Sequence, residues 1–222
     1  MLSGFSFPVL RFTNFVDGPF QLVILRMAAS LSSASTDTAA LRQLLQQVLY
    51  LTQEDTDAFV ASWQKRVHLT RHDFLIRPGQ TEHHLYLVVE GVLRIFLPVA
   101  AEEICVGFGY AGTLLCSFPS FVEGRPSDYA IQALRGSRLL GISRAAVLAL
   151  LESHPNIARF WRTEMERAVV GRIEREIDLL LPEPQRRLDR LRARSPHLFQ
   201  LVPRKYIASY LRMTPETLSR LR

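Results

Sequence analysis

At 222 residues, with 48% hydrophobic and 22% charged side chains, the chain has the composition of a soluble globular protein: one sizeable core and a small additional domain. Its two cysteines, Cys105 and Cys116, stand eleven apart among apolar residues. Neither their spacing nor their neighbours suggest a zinc site or an iron–sulfur cluster, which need about three or four ligands, and they read as two buried thiols in a reducing cytosol. The net charge of +6 is unevenly placed: residues 1–153 hold 12 Lys+Arg against 13 Asp+Glu, and residues 154–222 hold 15 against 8. A neutral first part followed by a basic last third is the pattern of a sensor joined to a polyanion-binding module.

Residues 1–33 are rich in Phe and apolar side chains without a clean period. Arg26 interrupts the apolar run and no basic region precedes it, so neither a signal peptide nor a membrane span is read there, and a cytoplasmic location without membrane contact is expected. Met27 opens a more ordinary polar leader and is the expected start, with residues 1–38 a disordered or spurious leader. From Ala39 to His68 the period is helical: Leu41, Leu44, Leu45, Val48 and Leu49 form one stripe, and Thr52-Gln53-Glu54-Asp55 caps a second helix running through Phe59 and Trp63.

From Leu69 to Ser143 short apolar runs are punctuated by glycine: LYLVVEG (85–91), VLRIFLPV (92–99), EICVGFG (103–109), YAIQAL (129–134) and SRLLGIS (137–143). Six or so short strands with such turns predict a β-sandwich or jelly-roll barrel. Ser143-Arg144 reopens helical sequence, and Pro155 starts a helix with no further proline until Pro182. Along it Ile157, Phe160 or Trp161, Glu164, Ala168, Arg172 or Ile173, Ile177 and Leu180 recur at three- and four-residue steps, a seam suited to a coiled-coil homodimer. The alternative is a helix packed only on its own barrel. Leu181-Pro182-Glu183-Pro184 breaks the helix as a hinge, and a short basic helix, Arg186 to Arg194, follows.

The last stretch, VPRKYIASYLRMTPETLSRLR (202–222), holds two helix-sized pieces. Tyr206, Ile207, Tyr210 and Leu211 make one side of the first. Thr214-Pro215-Glu216 supplies an N-cap, a first-turn proline and an acid at the positive end of the helix dipole. Leu218 and Leu221 point back, while Glu216 and Arg220 share an outward face. This is how a helix-turn-helix presents a recognition helix to double-stranded DNA. A helical hairpin packed on the protein, with Glu216 and Arg220 as a solvated ion pair, is the alternative.

His68, His72, His83 and His84 near Glu90 invite a cupin-like metal site. Adjacent His83 and His84 on a strand point to opposite faces, so no metal site is expected. GFGYAG (107–112) lies between strands with no following helix, and no strand–GxSxG–helix context is present, so no dinucleotide site or nucleophilic triad is read and the chain is not expected to be an enzyme.

RPGQTEHHLYLVVEGVLRIF (77–96), with Gly79 and Gly91 at its turns, resembles the first β-roll hairpins of the cyclic-AMP receptor protein/fumarate-nitrate regulator (CRP/FNR) family. The terminal stretch resembles that family's DNA-binding helices, especially those of short-tailed Bacteroidetes members. Residues 39–222 fall under the resemblance. It implies an α+β fold: a cyclic-nucleotide-binding-like β-roll (double-stranded β-helix or jelly roll) at 39–153, a dimerisation helix at 154–181, and a helix-turn-helix at 182–222 without a full wing. The implied partners are double-stranded DNA, a second copy of the chain and RNA polymerase.

The family's recognition helix reads close to Ser-Arg-Glu-Thr-Val-Gly-Arg, where this chain has Thr214-Pro215-Glu216-Thr217-Leu218-Ser219-Arg220. The resemblance therefore implies Glu216 and Arg220 as base readers, through cytosine N4 and guanine O6/N7. Thr214, Thr217, Ser209, Arg204 and Lys205 are implied on the phosphate side. Pro215 removes one base contact, so the operator should differ. Arg212 replaces the turn glycine; a positive φ there would cost about 1 kcal/mol, part of it recovered through a phosphate.

Aligned on Val122–Gly124, the family's ribose-binding Gly-Glu pair falls at Cys116-Ser117 and its phosphate-binding Arg-Ser pair at Ser127-Asp128, with Arg125 two residues earlier. The ribose carboxylate is gone and Asp128 would repel a phosphate, which argues against cyclic AMP. The effector is left unnamed. The function read is a homodimeric transcription regulator with an effector-sensing β-roll. A ligand-binding module whose terminal helices bind protein is the alternative, and a cupin-like metalloenzyme stands behind it.

Overall fold

In the computed structural model, residues 11–12, 34–45 and 48–221 are described. Met27 and most of the expected leader lie outside them; Arg11–Phe12 (β1) pairs in parallel with the strand Thr113–Leu115. Helix α1 spans Ala34–Leu45, beginning ahead of the expected boundary at 39, and α2 spans Gln53–Ala61. Thr52 caps α2 as the sequence suggests: its hydroxyl accepts from the Asp55 amide while the Asp55 carboxylate accepts from the Thr52 amide.

The expected helical stretch ends sooner than His68. Lys65–Leu69 is a strand, β2, whose charged and apolar residues alternate along one edge of a sheet. Then come β3 (Phe74–Ile76), β4 (His84–Glu90), β5 (Val92–Val99), β6 (Glu102–Tyr110), β7 (Thr113–Leu115), helix α3 (Phe118–Glu123), β8 (Ala130–Ala133) and β9 (Ser137–Ser143). They form two sheets, ordered β1-β7-β4-β9-β2 and β3-β8-β5-β6, with antiparallel pairing except at β1.

Between the sheets Tyr86, Val88, Leu93, Ile95, Leu115, Ile131 and Leu139 make a common core. The outer face of the first sheet is apolar as well: Leu85, Leu87, Leu140 and Ile142 pack under Leu41, Leu45, Phe59 and Trp63 of the N-terminal segment. Helix α4 (Arg144–Ser153) and the start of α5 (Pro155–Leu180) join that layer through Val147, Leu150, Ile157 and Phe160. A strand buried on both faces reads as a continuous apolar run, which is why LYLVVEG shows no alternation. Asp55 stitches this layer together. Burial raises its pKa, but hydrogen bonds from Asn156, Thr52 and His154 outweigh that and hold it at about 2.

Among the described residues no helix is long and apolar enough to cross a membrane. Both cysteines are free and buried.

The β4–β5 turn depends on Gly91. Its φ is +107°, and a Cβ would lie 2.1 Å from Ser137 Oγ and 2.6 Å from Ser137 Cα. Gly79, at φ +85°, has open space instead. Gly91→Ala is expected to cost about 3 kcal/mol or more, and Gly79→Ala only about 1 kcal/mol, from φ strain alone. Thermal unfolding followed by circular dichroism should rank them in that order, and equal losses would contradict the contact with Ser137.

Candidate nucleic-acid interface and effector cavity

After α5 the chain forms α6 (Pro184–Arg194), α7 (Leu198–Leu201), α8 (Arg204–Tyr210) and α9 (Pro215–Arg220). Proline occupies the first turn of α6 and of α9, where its missing N–H costs nothing. The α8–α9 turn is a complete Schellman motif: the Met213 amide donates to Ala208 O at 3.0 Å and the Arg212 amide to Ser209 O at 3.1 Å. It places Arg212 at φ +55°, the left-handed conformation in which glycine is usual. Thr214 Oγ1 then caps α9 by accepting from the Thr217 amide at 3.1 Å. Ile207, Leu211 and Leu218 are buried where the two helices meet.

This packing leaves Arg204, Lys205, Arg212, Thr214, Glu216 and Arg220 exposed and Thr217 half-buried. The carboxyl of Glu216 is held below the usual range by its own backbone amide, the Thr214 hydroxyl and the charge of Arg220.

Ser209 departs from the expected phosphate-side set. It accepts from the Cys105 amide at 2.9 Å and donates to Glu103 O at 3.2 Å, so it joins α8 to β6. The reason is that the outer face of β5–β6 is apolar and takes the C-terminal helices as its cover. Val92, Cys105, Phe108 and Tyr110 pack with Leu188, Leu191, Leu198, Ile207 and Tyr210. Arg94, 5% exposed, reaches across this junction. Its guanidinium pairs with Glu103 at 2.7 Å, donates to Gln132 Oε1 and lies 4.6 Å from the Tyr206 ring. Burial in the same layer pushes the Cys105 thiol up to about 12.

The link between α5 and α6 is clamped by charge. Asp178, almost fully buried, takes Arg190 at 2.5 Å and also Arg194, while Glu174 takes Arg190 at 2.6 Å. Arg187 donates to Leu211 O at 3.0 Å and to Arg212 O at 3.3 Å, satisfying carbonyls at the end of α8.

The expected dimer seam divides in two. Ile157, Phe160 and Glu164 are buried within the chain's own layers, and Trp161 and Ala168 pack half-buried against them, so this half of the helix serves the barrel. The other half faces outward: Ile173 is 50% exposed, Ile177 40% and Leu180 76%. Val169 and Val170, which the spacing did not single out, extend that exposed apolar face.

Between the second sheet, α3 and α5 lies a cavity of about 320 Å³. Its walls are Ile95, Val106, Tyr129, Phe118, Met165 and Val169, with the exposed Arg172 and Glu176 also on its lining. Val106 is the extra residue of a β-bulge: Ile95 pairs with Gly107 but Phe96 pairs with Cys105. The bulge lets Val106 line the cavity while Cys105 and Phe108 both pack in the outer layer with the C-terminal helices.

Of the five candidate effector residues, Cys116 and Ser117 line this cavity. Ser127 stands behind Ser117, their hydroxyls 2.6 Å apart, and donates to Tyr129 O at 2.9 Å. Arg125 and Asp128 do not line it; they are exposed and paired with each other at 2.8 Å, with Glu123 as a second partner of Arg125. No group of three or more His, Cys, Asp or Glu suited to a metal ion occurs among the described residues.

Sequence reasoning passed over Glu82. It is buried behind α3: its amide donates to Ser120 Oγ at 2.9 Å, Oε1 accepts from the His84 amide at 3.1 Å, and Oε2 has no partner. Burial pushes this carboxyl up to about 7, against the pull of the His84 amide and of Lys65. The raised value means the folded chain holds a proton that the unfolded chain has released above about pH 4.5. The group's contribution to stability therefore falls as pH rises through 4.5–7, with a cost of ~3 kcal/mol reached above that window. Glu82→Gln should gain in melting temperature relative to the parent as pH goes from 5 to 8 at constant ionic strength. A difference that does not change with pH would remove Glu82 as the titrating group.

Residues 66–154 match the family model of the cyclic nucleotide-binding domain. No curated protein matches the chain. Among solved structures, a CooA mutant from Carboxydothermus hydrogenoformans shares 16% identity at a TM-score of 0.59, over 79% of this chain and 80% of its own. The regulator CLP of Xanthomonas campestris shares 16% at 0.59, over 76% and 89%. FixK2 of Bradyrhizobium japonicum shares 17% at 0.58, over 70% and 81%. At these identities the likeness is one of fold. Residues 66–154 therefore carry a cyclic nucleotide-binding domain, and the chain shares the fold of these three solved structures.

Proposed function

We propose that the chain is a homodimeric, sequence-specific DNA-binding transcription regulator whose β-roll senses an effector other than a standard cyclic nucleotide. The observation that carries this reading is α9: a helix fixed by the Thr214 cap and the Schellman turn, with Glu216 and Arg220 exposed four residues apart. A guanidinium so held can pair guanine O6 and N7, and a carboxylate can accept from cytosine N4. Arg204, Lys205 and Arg212 flank them for phosphate contacts, and Ser209 acts in the junction with β6 instead. Regulation, and not catalysis, is the activity proposed, with RNA polymerase as the downstream partner in the cytoplasm.

The second copy is assigned to the exposed half of α5, where Val169, Val170, Ile173, Ile177 and Leu180 form an apolar face. Two copies joined there would present two α9 helices to half-sites about one DNA turn apart. The departure from cyclic AMP is supported by the outward pairing of Arg125 with Glu123 and Asp128, which leaves no roll cation among the described residues that line the cavity.

Gel-shift selection on genomic fragments should return a two-fold symmetric site. Arg220→Ala should lose about tenfold or more of the specific affinity, while binding to unrelated DNA changes little. A chain with no sequence preference, unaffected by Arg220→Ala, would leave the protein-binding alternative for the terminal helices. Ile177→Asp should convert the dimer to a monomer in light scattering without loss of the circular-dichroism spectrum; an unchanged mass would place the dimer contact elsewhere.

A further inference from the structure

We propose that the cavity between the roll and α5 takes a small apolar organic anion, an aryl or medium-chain carboxylic acid: its hydrocarbon part lies among Ile95, Val106, Phe118 and Met165 and its carboxylate on Arg172. The inference rests on the reading of the roll as an effector sensor and names the chemistry of that effector. At about 320 Å³ the space suits one small molecule.

The polar groups decide which. Ser117 and Ser127, the hydroxyls nearest the family's phosphate position, are satisfied by each other and by the Tyr129 backbone. A phosphodiester placed there would meet hydroxyls already paired and no cation, and a desolvated anion without donors is strongly disfavoured. The remaining walls are apolar side chains, which favour a hydrocarbon or aromatic body.

Among the described residues charge enters the lining only from α5, where Arg172 and Glu176 lie one turn apart and exposed. Arg172 has no ion pair among the described residues, so its guanidinium is available for a bidentate carboxylate. The Glu123 and Asp128 carboxylates, by contrast, already hold Arg125 outside the cavity. A molecule so bound touches both the roll and α5, through Met165 and Val169, and borders the exposed half of the helix assigned to the second copy.

Titration calorimetry on the full chain tests this with benzoate, phenylacetate, 4-phenylbutyrate and octanoate, beside 4-phenylbutyramide and cyclic AMP. At least one carboxylate should bind saturably, with its neutral amide analogue tenfold or more weaker and cyclic AMP giving no heat. Arg172→Gln, a change at an exposed side chain, should bring the carboxylate down to the amide's affinity and leave the amide unchanged, and Arg172→Lys should recover part of the difference. The proposal is overturned by the absence of saturable binding across the four carboxylates at millimolar concentration, by carboxylate binding that ignores Arg172→Gln, or by binding of cyclic AMP. A gel-shift run with and without a bound carboxylate separates the two readings: no DNA recognition in either state with carboxylate binding intact sinks the regulator and spares the cavity, and DNA recognition without carboxylate binding spares the regulator.

Discussion

Both sheets of the roll are apolar on their outer faces as well as on the faces they turn to each other, and the rest of the chain is arranged by the need to cover those outer faces. The first sheet takes α1, α2, α4 and the first half of α5. The second takes the C-terminal helices, through Leu188, Leu191, Leu198 and Ile207. Each such side chain, fully buried, contributes about 2 kcal/mol. The α8–α9 pair is therefore not an appendage on a flexible tether: its position follows from what β5 and β6 expose. Arg94 and Ser209 fix the orientation, because a buried guanidinium and a strand amide accept few alternative partners.

The bulge at Val106 gives that arrangement a second property. On a regular strand residues 105 and 106 would still face opposite ways, but 108 would follow 106 to the cavity side. One extra residue keeps Phe108 in the outer layer against Tyr210, their rings 5.4 Å apart, while Val106 stays in the cavity wall. Neighbouring peptide units thus belong to the cavity and to the junction with α8.

Much of this was legible in sequence where local chemistry decides it. The Thr52 and Thr214 caps, the glycine turns at 79 and 91, the proline breaks and the long helix follow from residue type and spacing, and the positive φ at Arg212 follows from the turn it must close. What escaped depends on partners far away in the chain. The three-residue strands β3 and β7 carry too few positions for a period to show. The seam spacing from Ile157 to Glu164 is the same whether the helix meets its own barrel or a second copy, and only the fold shows that the barrel takes it. Ser209 and Glu82 look like ordinary polar residues until Cys105 and Ser120 are placed beside them.

The ion pairs of the last third bear on how its positive charge is to be counted. Arg190 and Arg194 are committed to Asp178, Arg187 to the carbonyls closing α8, Arg167 to Glu164, and half-buried Arg175 donates to the Tyr210 and Cys105 carbonyls. These arginines hold the helices together and displace few ions from a polyanion's atmosphere. Of the exposed cations among the described residues of this third, Arg159, Arg162 and Arg172 lie along α5 and Arg186 on α6, while Arg204, Lys205, Arg212 and Arg220 surround α8 and α9. Counterion release scales with cations that reach phosphate, so on the proposed reading the ionic-strength dependence of DNA binding is set by the four cations around α8 and α9, below what the surplus of basic residues in the sequence implies.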